Sequence, residues 1–387
     1  MRTILFIALT LATAPTFAAQ PLLPERGNDQ VPSRLAAVPA PTAAIERAPV
    51  SFSWKLDPNQ ALNAPQPHVA QSREYWQTVS GAELAAGVPL QMSAAGSLIR
   101  VSPSEGARAL RGSELQIQGV HGRAAHVQSM ASAEQLQAAG MSVNNGTVIA
   151  KLGREDGAGG YTLRVAQAEG DYVVHVFEPE SDQVLRASAS ADRALAGGQI
   201  RLNAAFEQAG RTATAEADAL LVAPDGRNWP VRLNAVADGA LSADVKLPAD
   251  VGNAQGLWEL QVFANAGGVQ RDARTAFAVA APTARFFGNT AFNARNLRMA
   301  LPVQAGSEGR YEARGTLYAT APDGSMRPVS QAHSAAWMKR GLGVLTLQFD
   351  RTHLPQGYRA PFEVRHLALN DQSRMAPLER RERAAKF

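Results

Sequence analysis

The amino-acid sequence of 387 residues contains no cysteine. Disulfide bonds, thiolate nucleophiles and zinc sites with cysteine ligands are therefore excluded. We also expect no lipoprotein anchor, because that modification needs a cysteine directly after the cleaved leader. A chain without cross-links has to be held together by hydrophobic cores, and this length predicts two to four domains.

Motifs of common catalytic and cofactor sites are missing as well. The sequence has no Gly-x-Ser-x-Gly elbow, no Walker loop and no Gly-x-Gly-x-x-Gly motif after a strand. None of the histidines has a zinc-site spacing; they are His68, His121, His126, His175, His333, His353 and His366. Four acids in the least regular region could flank a cleft or lie in solvated loops: Glu105, Glu155, Asp156 and Asp171. We therefore predict no catalytic residue, no cofactor and no metal site, and we favour a protein that is not an enzyme.

The sequence also lacks a basic stripe. Its formal net charge is +4, and the excess lies in Arg2 and in residues 374–387. Because nucleic-acid binders carry a basic patch over a folded face, we predict no nucleic-acid partner. We expect residues 374–387 to form a solvated, partly helical basic tail. No apolar run beyond the first residues approaches the ~18 that a membrane-spanning helix needs, so we predict no transmembrane span.

The first residues have the pattern of a secretory signal peptide. Arg2 supplies the positive charge, residues 4–14 are apolar, and small residues precede a cleavage site after Ala18. This pattern predicts export by the Sec route to the periplasm or the outside of the cell.

The rest of the chain divides by composition and by strand-like alternation, and the fold class is mainly β. The predicted segments are a signal peptide at 1–18, a Pro/Ala-rich linker at 19–67, a β-rich N-terminal domain with one or two short helices at 68–190, tandem immunoglobulin-like β-sandwiches at 191–282 and 283–373, and the basic tail at 374–387. Within the linker, Phe52, Trp54 and Leu56 alternate, which predicts an edge strand that docks onto the body.

The strongest internal repeat is the run Ala-Pro-Asp-Gly, at residues 223–226 and 321–324. Proline presets a turn and glycine supplies its positive φ, so each run predicts a turn inside a sandwich domain. The alternative is a calcium loop at Asp225 and Asp323, but calcium needs more carboxylates than lie nearby. Trp229 and Trp337 each follow a copy, either as a buried plug under the turn or as an exposed ring for carbohydrate stacking.

Five segments in a fixed order resemble one protein family. They are residues 72–76, 98–103, 315–319, 334–337 and 371–375. They resemble the domain-of-unknown-function 4785 family, secreted proteins of gammaproteobacteria. The resemblance implies an N-terminal β-rich domain followed by immunoglobulin-like domains, and an extracellular fate through a type II secretion route. It implies no catalytic residue.

Three functions remain open on this basis. The first is a non-catalytic secreted or periplasmic binding protein that presents its loops to a protein or glycan partner. The second is a hydrolase with its site in the 68–190 domain, built from acids or from His121, His126 and His175. The third is a periplasmic chaperone or secretion accessory, which needs a long exposed edge strand and a basic residue between domains, with Arg285 as the candidate. Oligomeric state does not follow from the sequence.

Overall fold

The computed structural model describes residues 18–62, 66–120, 122–251 and 256–387. Residues 1–17, which hold most of the predicted signal peptide, lie outside this set. The fold is mainly β, with two short α-helices and several antiparallel sheets. No helix among the described residues is long and apolar enough to cross a bilayer. The chain forms two compact units: a terminal unit, Met1–Ala64 with Ala280–Phe387, and a central unit, Pro65–Val279.

The first described part of the terminal unit contains two short strands, β1 (Ala18–Pro21) and β2 (Val50–Lys55). The central unit then begins with a β-rich domain. After β3 (Val69–Ser72), which pairs with the following domain, its elements are β4 (Glu74–Ser80), α1 (Gly81–Ala86), β5 (Val88–Met92), β6 (Leu98–Pro103), β7 (Gln116–Gln118), β8 (Val127–Ser132), α2 (Ala133–Ala138), β9 (Val148–Leu152), β10 (Gly159–Arg164) and β11 (Asp171–Phe177).

This domain packs two antiparallel sheets around one core. The five-stranded sheet has the order β4-β11-β6-β9-β8, and the three-stranded sheet has the order β5-β10-β7. Ile99 and Val101 of the first sheet share a buried cluster with Leu90 and Leu163 of the second. The domain contains two short α-helices, which agrees with the predicted number of one or two. The capping box that begins α1 is complete, because Ser80 accepts from the Glu83 N–H and the Glu83 carboxylate accepts from the Ser80 N–H.

The second domain of the central unit is an immunoglobulin-like sandwich. Its strands are β12 (Gln183–Ala189), β13 (Arg193–Leu195), β14 (Gln199–Gln208), β15 (Arg211–Ala213), β16 (Glu216–Val222), β17 (Asn228–Val231), β18 (Asn234–Ala235), β19 (Leu241–Lys246), β20 (Trp258–Ala266) and β21 (Val269–Ala280). One sheet has the order β18-β19-β14-β12-β3, and the other β13-β21-β20-β16-β17. Strand β12 pairs with β14 throughout and with β3 on its other side, so the sandwich includes residues that precede 191. Trp258, Leu260 and Val262 alternate with less buried residues along β20, and all three are buried in the core of the sandwich.

A buried ion pair joins the two domains of the central unit. Arg271 of β21 and Glu178, directly after β11, are both completely buried and form a salt bridge. Arg271 also donates to the Ser93 hydroxyl (2.7 Å), the Ser181 hydroxyl (3.0 Å) and the Gln183 carbonyl (3.0 Å). The Glu178 carboxylate accepts from the Ser93 N–H (2.6 Å) as well. Complete pairing of this kind is what makes a buried charge tolerable.

The terminal unit holds the second immunoglobulin-like sandwich. Its remaining strands are β22 (Ala284–Phe286), β23 (Asn289–Asn293), β24 (Arg298–Ala305), β25 (Gly309–Thr320), β26 (Met326–Met338), β27 (Gly341–Gln348), β28 (Arg359–Asp371) and β29 (Ala376–Lys386). One sheet contains β1, β22, β23, β24 and β27, and the other has the order β2-β26-β25-β28-β29. Met299 and Leu301 of the first sheet and Leu317 and Val364 of the second are all inaccessible to solvent.

The N-terminal segment contributes strands to both sheets of this sandwich. β1 pairs with β23, and β2 pairs with β26 as the first strand of its sheet. The predicted docking of an edge strand is therefore confirmed. Between these strands, Gln30 and Arg380 exchange two backbone hydrogen bonds, and the Ala36 N–H donates to the Pro282 carbonyl. Residues 19–62 of the predicted linker are thus an integrated part of the terminal unit.

The predicted solvated, partly helical tail at 374–387 is wrong. Residues Ala376–Lys386 form β29, which pairs with β28 along most of its length. Leu378 and Ala384 are fully buried. Two of the charges that suggested a tail are paired inside the domain, because Glu379 accepts from Arg381 Nε (2.6 Å) as well as from the Phe286 N–H (2.8 Å).

The repeated Ala-Pro-Asp-Gly runs form equivalent turns. The Gly226 N–H donates to the Ala223 carbonyl and the Gly324 N–H donates to the Ala321 carbonyl, both at 2.9 Å. Gly226 and Gly324 have φ values of 84° and 82°, which glycine adopts without strain. The turn interpretation of both runs is confirmed.

Candidate ligand-binding face

The outer face of the sheet β2-β26-β25-β28-β29 carries exposed aromatic and cationic side chains. Residues that lie opposite one another on antiparallel strands point to the same face. One such row crosses all five strands: Phe52 lies opposite His333, His333 opposite Arg314, Arg314 opposite Ala368, and Ala368 opposite Arg380. Five strands at 4.7–4.9 Å give this row a length of roughly 19 Å.

An aromatic cluster occupies the β2 edge of this face. Phe52 and Trp54 remain 47% and 41% exposed. The Phe52 and His333 rings are stacked with centroids 5.1 Å apart, and the Trp54 and His333 centroids are 4.6 Å apart. The edge strand thus presents two large aromatic side chains that pack against the His333 ring and remain exposed to solvent.

Polar side chains beside the cluster are held in fixed positions. His333 Nδ1 lies 2.5 Å from Glu312 Oε1, and Asn370 Nδ2 donates to Glu312 Oε2 (3.2 Å). The hydrogen bond with His333 is the main reason why the pKa of the Glu312 carboxyl is lowered, so this group is ionised at neutral pH. Gln331, next along β26, donates to the Thr316 hydroxyl (3.2 Å).

Two arginines complete the face. The side chains of Arg314 and Arg380 are exposed, and neither guanidinium forms a hydrogen bond or a salt bridge with any residue that the structure describes. Other arginines of the same sheet are engaged: Arg365 and Arg383 both bind the Glu363 carboxylate, at 2.7 Å and 2.5 Å. Arg314 and Arg380 are therefore available as hydrogen-bond donors to a ligand. We call Phe52, Trp54, His333, Arg314 and Arg380 the aromatic–arginine face.

The acids and histidines that the sequence suggested for a hydrolase come together only in pairs. His126 Nδ1 lies 3.3 Å from Glu155 Oε1, with both side chains 60% exposed, and the His126 N–H donates to Asp156 Oδ2. Glu105 and Asp171 are exposed, and His121 lies outside the described residues. No group of three or more ligating side chains that could hold a metal ion occurs within the described parts of the chain.

His175 lies at the other contact between the two domains of the central unit. Its Nε2 is 2.8 Å from Glu74 Oε2, and the hydrogen bond is the main cause of a lowered pKa for the Glu74 carboxyl. On the neighbouring domain, Arg274 stacks over the Trp76 ring (4.3 Å), and the Asp272 carboxylate accepts from the backbone N–H of Trp76 (2.8 Å). These contacts fix the two domains against each other.

The two tryptophans after the repeated turns are not equivalent. Trp229 is half-buried and stacks on Trp258 of the core, with centroids 5.4 Å apart, so the plug interpretation is confirmed there. Trp337 lies at the far end of β26, away from its turn, where its indole donates to Glu308 (2.8 Å) and Arg47 covers its ring. The prediction that Trp337 occupies a position similar to that of Trp229 is wrong. Trp337 lies eleven residues after Met326, the first residue of β26, and is therefore far from the turn.

Asp225 and Asp323 serve their turns. Asp225 accepts from the Arg227 N–H (3.1 Å), and Asp323 accepts from the Ser325 N–H (2.9 Å).

For the chaperone alternative, β27 is an edge strand that pairs with β24 alone among the described strands, and its Leu342 is 73% exposed. Arg285 donates to Gln304 within the same unit (3.1 Å).

The fold and the face define a multidomain protein of immunoglobulin-like sandwiches, and sequence comparison places it in a family. The chain matches the N-terminal domain of a domain of unknown function, DUF4785, over residues 41–178, and the C-terminal domain of the same family over residues 283–387. The chain belongs to the DUF4785 family, and the resemblance found in the sequence is confirmed. No curated protein matches the sequence.

Solved structures show similarity in fold. A DUF4785 family protein from Legionella pneumophila has a TM-score of 0.67 and 18% identity, over 92% of this chain and 99% of that one. Trypsin-activated alpha-2-macroglobulin from Escherichia coli has a TM-score of 0.21 and 14% identity, over 76% of this chain and 22% of that one. The Escherichia coli alpha-2-macroglobulin activated by porcine elastase has a TM-score of 0.21 and 10% identity, over 86% of this chain and 32% of that one. Only the first of these similarities is high enough to compare folds.

Proposed function

We propose that the protein is a non-catalytic binding protein that holds its ligand on the aromatic–arginine face. The observation that carries the proposal is the pair of half-exposed aromatic side chains, Phe52 and Trp54, stacked with His333 on the outer face of a rigid sheet. Large aromatic side chains are normally buried, and an exposed group of them with a polar rim is typical of an interaction site.

The ligand is a glycan or a protein. Both classes use aromatic side chains as anchors, with hydrogen bonds from fixed polar groups around them. Glu312, Gln331 and Asn370 supply such groups, and their own hydrogen bonds hold them in place. Pre-organised side chains lose little conformational entropy on binding, which raises affinity without additional contacts.

We also propose that the protein acts after export, in the periplasm or outside the cell. The pattern at residues 2–18 supports this proposal. N-terminal sequencing of protein isolated from the periplasm and the culture medium tests it. Cleavage after Ala18 is the expected result, and exported protein that retains Met1 would contradict it.

A glycan array probed with the full mature chain tests the binding function. The expected result is a set of ligands that wild type binds and that the variant Phe52→Ala/Trp54→Ala loses. Phe287→Ala is the matched control, because Phe287 is 44% exposed in the same unit but outside the face. Binding that survives in the double variant would refute the proposed site. Bound glycans whose chain length falls during incubation would favour the hydrolase alternative.

A further inference from the structure

The two free arginines limit the chemistry of the ligand. Arg314 and Arg380 are both exposed and lie in one row with Phe52 and His333. A guanidinium group binds carboxylate, sulfate and phosphate groups through two parallel hydrogen bonds. Glu312, two residues before Arg314 on β25, is held by His333 and Asn370, and the positive charge of Arg314 contributes to the lowered pKa of its carboxyl. The row therefore offers aromatic surface at one end and anion-binding groups towards the other.

The spacing of these groups fits an extended sugar chain. Arg314 and Arg380 are separated by two strand spacings, roughly 10 Å, which is about the length of a disaccharide. Pyranose rings present C–H faces that pack on aromatic rings, and their hydroxyl groups bond to planar polar side chains such as Gln331 and Asn370. A chain laid along the row would place sugars on Phe52 and Trp54 and acidic groups on the two arginines.

We infer, on the basis of the proposed binding function, that the ligand is an anionic glycan with an acidic group on about every second sugar. A neutral glycan would leave both guanidinium groups without a partner. A nucleic acid would need a wider basic surface than this row provides, because Arg314 and Arg380 are its two arginines among the described residues.

A matched pair of oligosaccharides tests the inference. The probes are an octasaccharide of hyaluronan, with one carboxylate per disaccharide, and the chitin octasaccharide, which is neutral. Titration calorimetry of the full mature chain should give at least tenfold tighter binding of the hyaluronan octasaccharide, with an affinity that falls as salt is raised. Each of Arg314→Gln and Arg380→Gln should weaken hyaluronan binding about tenfold and leave chitin binding unchanged.

Three controls keep the outcomes separate. Arg298→Gln removes an exposed arginine from the other sheet of the same sandwich and should change nothing. Phe52→Ala/Trp54→Ala should weaken binding of both oligosaccharides. All variants change exposed side chains, so unchanged melting temperatures will show that they fold.

The outcomes distinguish this inference from the proposed function. Equal binding of the two oligosaccharides, insensitive to the arginine variants but lost in the aromatic variant, would overturn the anionic glycan and keep the binding face. Absence of hyaluronan binding would also overturn the inference, and the glycan array would then decide separately whether the face binds another ligand. Binding that neither set of variants alters would overturn both.

Discussion

Replacing Arg271 by methionine removes the cation from the ion pair that joins the two domains of the central unit. Glu178 would then be a buried carboxylate with no cation, although the Ser93 N–H and hydroxyl still donate to it. Breaking a fully buried pair on one side costs about 3–5 kcal/mol, because the remaining charge keeps its desolvation penalty. We therefore expect a loss of stability of this size for Arg271→Met.

Urea unfolding followed by tryptophan fluorescence measures this loss, because Trp76 and Trp258 report on the two joined domains. The double variant Arg271→Met/Glu178→Gln supplies the control. It removes both charges, so it should recover a large part of the lost stability, and the two substitutions should be strongly non-additive. A midpoint for Arg271→Met equal to that of wild type, or strictly additive effects, would refute the reasoning.

Three further predictions concern the remaining special features. Burial raises the pKa of the Asp272 carboxyl to about 6, above the ~3.9 of an unfolded chain. The stabilising contribution of this group is therefore present at pH 4 and is lost as pH rises to about 6. Asp272→Asn should accordingly raise unfolding stability by about 1–2 kcal/mol at pH 8 and change little at pH 4; an equal effect at both values would contradict it. Gly357 has φ 82°, and an added Cβ would lie 3.0 Å from Pro322 Cγ. Gly357→Ala should cost about 1–2 kcal/mol in thermal unfolding, more than the matched Gly324→Ala, which has the same φ and open space; equal costs would exclude the proline contact. Truncation after Met375 removes β29 and should abolish cooperative unfolding of the terminal unit in calorimetry; a truncated chain that melts like wild type would show that the strand is dispensable.

Much of the fold could be predicted because local signals agree with the final structure. Trp258, Leu260 and Val262 alternate with polar residues, and only a half-buried strand satisfies that period. The capping box at Ser80 and the repeated Asp-Gly turns depend on neighbouring residues alone. Features of this kind are fixed by local chemistry, so the sequence displays them directly.

Strand β29 could not be predicted for an equally physical reason. Two residues in its run of charges, Glu379 and Arg381, are buried and form an ion pair inside the domain. Burial of a charge becomes visible only when its partner and the surrounding backbone are known. The same holds for β12, whose membership of the second domain depends on its pairing with β14.

The candidate site was only partly visible in the sequence. The alternation of Phe52 and Trp54 predicted a docked strand, but His333, Arg314 and Arg380 lie far away in the chain. Only the strand register brings them into one row. A single exposed arginine carries no sequence signal, because only the folded structure shows whether a neighbouring side chain already binds its guanidinium group.

The most direct test of the binding face is hydroxyl-radical footprinting of the full mature chain, with and without a saturating glycan selected on the array. The account predicts that oxidation of Phe52 and Trp54 falls on binding, while that of Phe287, which has a comparable exposure, stays constant. Unchanged oxidation of Phe52 and Trp54 at saturation would contradict the central claim.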